Sequence, residues 1–305
     1  MDLLKQLCNI QAPSGEEYRV KEFLLQYIEE HKAQWYVQPE ICYGDEFQDS
    51  LLLIFGRPRT AIYAHMDNIG YTVKYNSEII RIGGSKKESN IVLVGYDSQG
   101  DIECLSYMEE GEESTLQYKA SREIDRGTSL SYKMSFRETS EYVTSCYLDN
   151  RLGIYAALQV AQTLENGAIA FTCNEEHGGG NAQKLARYLW EKHTVNQALI
   201  ADITWITEGV EHGKGVAISM RDSSIPRRLY LNKIIEIARR SGIPYQLEVE
   251  ASGGSDGAMI QKSDVPVDWC FVGAAEENVH SPDETVHKDD IASMIALYKE
   301  LMEKL

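Results

Sequence analysis

The chain has 305 residues, 43% hydrophobic and 25% charged, which suits one large globular domain or one carrying a smaller insert. Its formal net charge of −17 speaks against nucleic acid, because phosphate binding needs a basic surface. Cys8, Cys42, Cys104, Cys146, Cys173 and Cys270 lack zinc-knuckle or redox spacing, no basic-then-apolar leader is visible, and no apolar run reaches membrane length, so a cytoplasmic protein without a membrane partner is expected.

In chain order, Pro13-Ser14-Gly15-Glu16-Glu17 reads as a helix start, with Ser14 as cap and Glu17 three residues on. Val20, Phe23, Leu24, Tyr27 and Ile28 then recur at helical spacing. Residues 51–55 and 60–64 read as strands, the second ending at His65. From about 76 to 141 the texture changes. Residues 91–94, 102–107 and 130–136 look like short strands. The last sets Leu130, Tyr132, Met134 and Phe136 against Ser131, Lys133, Ser135 and Arg137. The acidic run Met108-Glu-Glu-Gly-Glu-Glu113 reads as a solvated loop. Segment 76–141 is therefore expected to be a small β domain inserted into a main domain made of 1–75 and 142–305.

Beyond it, helical patterns at 152–164, 183–192, 226–240 and 290–305 alternate with apolar strands at 168–173, 198–201, 216–220, 245–250 and 267–272. Residues 252–257 read as a glycine-rich loop. Such alternation predicts an α/β fold, a mostly parallel sheet covered by helices on both faces.

The chemistry gathers where the strands end. His65 and Asp67 follow 60–64, Glu175 and Glu176 follow 168–173, Asp202 follows 198–201, and His280 follows the strand at 267–272. Open α/β sheets bind ligands at the carboxyl ends of their strands. A two-metal hydrolytic site needs a bridging carboxylate, terminal His or carboxylate ligands, and one carboxylate free as a base. Asp149 stands where a helix begins and faces its positive end. In extended geometry the adjacent Glu175 and Glu176 point opposite ways, so one could bind metal while the other handles protons. Taken singly each feature is weak: an Asp before a helix is ordinarily a cap, and Glu-Glu a solvated turn. Their joint appearance at strand ends is what points to a site.

Six motifs carry a family resemblance: His65-Met-Asp-Asn-Ile-Gly70, Leu148-Asp-Asn-Arg-Leu-Gly153, Asn174-Glu-Glu-His-Gly178, Ala201-Asp-Ile-Thr204 with Gly213-Lys-Gly215, Gly253-Gly-Ser-Asp256 and His280-Ser-Pro282. Together they resemble metallopeptidase family forty-two, the glutamyl and tetrahedral aminopeptidases with dinuclear metal sites. The resemblance implies an α/β peptidase domain interrupted by a smaller β domain used in assembly. It implies that Asp149 bridges two divalent ions, zinc first with cobalt and manganese as alternatives. His65 and Asp202 would complete one ion, and Glu176 and His280 the other. Glu175 would be the general base and acid, and Asp67 would orient His65 from behind. Ser255 and Asp256 are candidate substrate contacts, beside the bland reading of a loop that sets backbone geometry.

His177 stands where the family more often has an apolar residue and is read as a tolerated polar one. His31, His193, His212 and His287 have no matching role and are read as surface. The implied function is an aminopeptidase acting on short peptides, assembled as a dimer or from dimers. Two rivals remain: a dinuclear N-acyl amino acid deacylase or carboxypeptidase, and an inactive binding or assembly relative.

Overall fold

A computed structural model describes residues 1–109 and 114–305. Residues 110–113 of the acidic run therefore lie outside the described residues. The chain opens with α1 (Asp2–Cys8), α2 (Tyr18–His31), β1 (Glu40–Gly44), β2 (Gln48–Phe55) and β3 (Thr60–His65). Six short strands come next: β4 (Gly70–Val73), β5 (Ile79–Ile82), β6 (Val92–Asp97), β7 (Gly100–Glu109), β8 (Thr115–Lys119) and β9 (Ser129–Tyr132). After them stand β10 (Arg137–Glu138), β11 (Tyr142–Ser145), α3 (Leu148–Ala161), β12 (Gly167–Thr172), α4 (Ala182–His193) and β13 (Gln197–Trp205). The chain closes with β14 (Val216–Arg221), α5 (Arg228–Ser241), β15 (Tyr245–Val249), α6 (Asp256–Gln261), β16 (Asp268–Glu277), β17 (Glu284–His287) and α7 (Lys288–Lys304).

The large sheet runs β1-β2-β12-β3-β13-β16-β17-β11-β10, with β14 on β16 and β15 on β14. Its centre, β12-β3-β13-β16, is parallel, and antiparallel strands flank it. Both faces are covered, which explains why β2, β3 and β12 are nearly unbroken apolar runs. Leu51, Leu53 and Phe55 of β2 pack with α1, α2, α3, α5 and α7. The alternate residues Leu52 and Ile54 pack with α4 and α6 on the opposite face. The period-2 alternation of side chains thus feeds two cores from one strand. The fold is α/β.

The second sheet, β5-β4-β9-β6-β7-β8, is antiparallel throughout. Tyr71, Leu93, Ile102, Leu116 and Leu130 build its own core. Its strands run from Gly70 to Tyr132, so β4 begins before position 76, and β10, although before position 141, pairs in the large sheet. The alternation read through Phe136 outlasts the strand. Pairing with β6 ends at Leu93 opposite Tyr132, and beyond that point Met134 and Phe136 are half-buried without a ladder partner.

Local readings are corrected by what the side chains bind. Ser14 does not cap α2: its hydroxyl donates to Asp67 Oδ2 at 2.6 Å, and the helix starts at Tyr18. Glu17 instead accepts the amides of Gly15 and Asn174, at 2.9 and 2.8 Å. Part of the glycine-rich segment is helical, because Ser255 caps α6 by accepting the Gly257 amide. The four histidines read as surface are all partly buried, and His212 and His287 both pack edge-on against Tyr142. All six cysteines are buried and unpaired. Among the described residues no helix is long and apolar enough to cross a membrane.

Candidate metal centre

Parallel register delivers the first donors. Thr172 of β12 lies opposite His65 of β3, and Ile200 of β13 lies opposite Tyr63. Two residues further on, His65 and Asp202 stand side by side, 3.7 Å apart at Nε2 and Oδ2. β13 continues to Trp205, so Asp202 is a strand residue and not the end of one.

Asp149 arrives from the entrance of α3, but not as a residue of the helical first turn. Its ψ of 105° and the Asn150 φ of −121° leave the helix. Asn150 caps the regular part of α3, its Oδ1 accepting the Gly153 amide at 2.9 Å, and its Nδ2 donates to Ala201 O at 2.8 Å. That second bond ties the Asp149 backbone to the strand that carries Asp202. The side chain is thus aimed by a turn and a tether rather than by the helix dipole.

Glu175 and Glu176 do not extend from a strand end either. β12 stops at Thr172, Asn174 adopts a φ of 61°, and a turn succeeds it. Both carboxylates line one cavity, so alternation does not separate them; their neighbours do. Asp67 fixes this turn. Its Oδ1 accepts the Glu175 amide at 3.1 Å and its Oδ2 the Glu176 amide at 3.0 Å. Oδ1 also lies 3.4 Å from His65 Nδ1.

His280 closes the cluster from the loop after β16. Gly84 lies against it: a Cβ there would collide with the imidazole ring, so only glycine lets the second sheet reach the site. Glu284 holds the backbone behind both flanks, accepting the Asp149 amide at 3.2 Å and the His280 amide at 3.0 Å. His177 accepts the Gly83 amide at 3.2 Å and ties the two loops.

The resulting geometry centres on Asp149. Its Oδ1 lies 3.1 Å from His65 Nε2, and its Oδ2 lies 3.3 Å from His280 Nε2. Glu176 Oε2 stands 3.2 Å from the same His280 nitrogen. One donor atom from each of His65, Asp149 and Glu176 falls within a 4.8 Å group. Glu175 lines the same cavity, and among the described residues no side chain hydrogen-bonds its carboxylate.

Burial alone would lower the pKa of both imidazoles, but the carboxylates around them override it. Asp202, Asp149 and Asp67 hold His65 well above its usual value, and Asp149 and Glu176 hold His280 up at about 11. Asp149 is held below the usual carboxylate range by His280 and His65 in spite of burial. Burial, then Asp149, pushes Glu176 to about 7. Burial also lifts Glu175 well above its ordinary value; His65 offsets part of this, and Asp202, Glu176 and Asp256 add to it.

These residues fit a divalent ion. Asp149, Glu175, Glu176 and Asp202 converge on two imidazoles, and among the described residues no Lys or Arg lines the cavity. Glu176 Oε1 is buried without a hydrogen-bond partner. Imidazole nitrogen with carboxylate oxygen is the donor set of zinc and similar metals. Ser255 and Asp256 are close by but do not line the cavity, whereas Gly253 and Gly254 do. Asp256 accepts the Thr172 hydroxyl instead.

An α/β sheet that offers such donors at the carboxyl edge of its parallel strands defines a metal-dependent hydrolase of the α/β peptidase class. The M42 glutamyl aminopeptidase family matches residues 110–297, more than half of the chain. The chain belongs to that family and is a metal-dependent aminopeptidase. A relative from Acetivibrio thermocellus that carries an aminopeptidase name is 25% identical over 332 residues, covering 98% of this chain and 97% of its own. The solved aminopeptidase APDkam598 from Desulfurococcus kamchatkensis has a TM-score of 0.88 at 21% identity, covering all of this chain and 94% of its own. The TET1 peptidase of Pyrococcus horikoshii, also 21% identical, has a TM-score of 0.81 over all of this chain and 99% of its own. At those identities the two structures establish the fold.

Proposed function

We propose that two divalent ions, zinc by preference, occupy the centre and that the enzyme removes N-terminal residues from short peptides. Asp149 bridges the ions, His65 and Asp202 hold one, and Glu176 and His280 hold the other. The observation that carries this reading is Asp149 itself, whose two oxygens each face a different imidazole. Bound metal supplies Lewis acidity and lowers the pKa of water. Glu175 takes the proton of the attacking water and delivers it to the leaving amine. Asp67 keeps His65 and the Glu175–Glu176 turn in place. The cavity, about 300 Å³, is at the small end of ligand pockets and suits one N-terminal residue.

Elemental analysis after mild metal loading is expected to approach two ions per chain, falling to one or fewer in Asp149→Ala. A value that never exceeds one, with Asp149→Ala binding normally, overturns the bridging role.

The second sheet, as a separate β domain, is assigned to self-association. Tyr96, Leu105 and Tyr107 stand exposed on one face of its β6–β7 ladder. Exposed apolar surface of this kind gains by pairing, and closed two-fold dimers are the commonest result. The Pyrococcus horikoshii TET1 peptidase can assemble into a tetrahedron or a large octahedral shell, which supports assembly here. Light scattering at micromolar concentration is expected to give a dimer or a multiple of dimers; a monomer refutes the assignment. The six unpaired thiols fit the reducing cytoplasm.

A further inference from the structure

The cavity beside the metal centre carries more negative charge than hydrolysis needs. Besides Asp149, Glu175, Glu176 and Asp202, its lining includes Asp222, Glu248 and Glu250. None of these three forms a salt bridge among the described residues, and no Lys or Arg lines the cavity. They come from one corner of the large sheet. β14 and β15 run parallel, and Asp222 and Glu250 come directly after their last residues, with the Glu250 amide bonded to Arg221 O. Glu248 stands within β15.

Glu248 is the most informative of the three. It is only 4% exposed, and one oxygen accepts the Thr204 hydroxyl, while its second oxygen has no hydrogen bond among the described residues. Burying a carboxylate without a cation is costly, and such groups are ordinarily paired. Burial pushes the Glu248 carboxyl upward; the Thr204 and Ser219 hydroxyls offset part of this, and like charge from Glu250 and Asp222 adds to the push, so the three carboxylates share one field. Asp222 is partly relieved by Arg221 and by the Ser224 amide. Glu248 and Glu250 have no such cation.

The same cavity supplies a surface for an aliphatic stem. Trp205, the residue after Thr204 of the Thr204–Glu248 contact, is 41% exposed and lines the same cavity with Gly253. An indole face attracts an ammonium or guanidinium group and packs well on methylenes.

Resting on the aminopeptidase reading, we propose that this corner selects substrates whose N-terminal residue is lysine or arginine, with Glu248, Glu250 and Asp222 facing the cationic head and Trp205 its stem. Capture of the α-amino group is a separate task, because every aminopeptidase substrate carries that amine. A corner that served only the amine would not discriminate between residues. A corner that serves the side chain makes selectivity the quantity its carboxylates control.

The test is kcat/KM of the metal-loaded enzyme on lysyl, arginyl, leucyl and glutamyl p-nitroanilides. The lysyl and arginyl substrates are expected to exceed leucyl by at least about tenfold, and glutamyl to be poorest. In Glu250→Gln the lysyl-to-leucyl ratio is expected to fall about tenfold or more, chiefly through KM. In Glu250→Lys the glutamyl-to-lysyl ratio is expected to rise. Because Glu248 is buried, Glu248→Gln is read only alongside its circular dichroism and metal content. Leucyl or glutamyl as the best substrate overturns the proposal, as does an equal loss on all four substrates in Glu250→Gln. If the metal-loaded enzyme cleaves none of the four, the aminopeptidase reading fails instead, so the two failures are distinguishable.

Discussion

Glu175→Gln is expected to retain its metal and lose on the order of 10²–10⁴ in kcat, the usual size of a general acid–base contribution. Gln keeps the volume and polarity of the side chain but cannot accept the proton of water. The backbone that positions it is held from below by Asp67, a contact to the amide that the substitution leaves alone. Glu175 also suits the work chemically. Among the described residues no hydrogen-bonded partner ties its carboxylate down, and burial raises its affinity for a proton well above that of a surface glutamate. A base that can hold the proton it takes can also return it to the leaving amine.

Glu176→Gln is the matched control. Its carboxylate touches His280 and carries a buried oxygen without a partner, so the substitution is expected to reduce metal content as well as rate. Inductively coupled plasma measurements on both variants, paired with steady-state kinetics, separate the roles. If Glu175→Gln loses metal while Glu176→Gln keeps it, the assignments are exchanged.

Much of this centre was visible in the sequence for a physical reason. Strands buried on both faces write themselves as apolar runs, and parallel strands put their carboxyl ends on one edge. His65 and Glu175–Glu176 could therefore be located by where such runs stop. What supports them could not, because support is long-range and carries no local pattern. Ser14 had the signature of a helix cap and instead bonds Asp67, 53 residues away. Glu284 carries no local signature, yet it holds two backbone amides of the site. Gly84 is legible only once His280 is known to lie against it. The second sheet was half seen. β6 and β7 alternate long enough to read, but β4, β5 and β8 have four or five residues each, too few for periodicity to separate from a loop. The turn at Glu175 was misread as extended because nothing local announces a φ of 61° at Asn174, although Asn is among the residues that tolerate it.

Arg151 had a signal that composition alone could have exposed: a single cation entering the otherwise apolar stretch Leu152-Gly-Ile-Tyr-Ala-Ala-Leu158. A charge in such a helix must either reach solvent or be fully bonded, and here it is fully buried. Its guanidinium donates to the carbonyls of Leu7, Ile10 and Met66 and to Asn68 Oδ1. Three segments meet on one side chain: the end of α1, the loop after it, and the His65–Asp67 loop. Arg151→Leu takes a donor from four acceptors; Leu7 O keeps the Ile10 amide and Asn68 Oδ1 keeps the Ala12 amide, so Met66 O and Ile10 O are the two left unpaired. At roughly 1–3 kcal/mol for each unpaired group, together with the lost bonds to the other two, the net loss is expected to be about 3 kcal/mol. For a chain of this size that lowers Tm by on the order of 5–10 °C. Arg151→Lys is expected to fall between, since an ammonium keeps the charge but cannot span the fork. Thermal unfolding of the metal-free protein, followed by circular dichroism, reads both. Activity of folded Arg151→Leu should also drop, because Met66 and Asn68 bracket Asp67 and lose their anchor together. A Tm within about 2 °C of the parent would show that the three segments hold without their common donor.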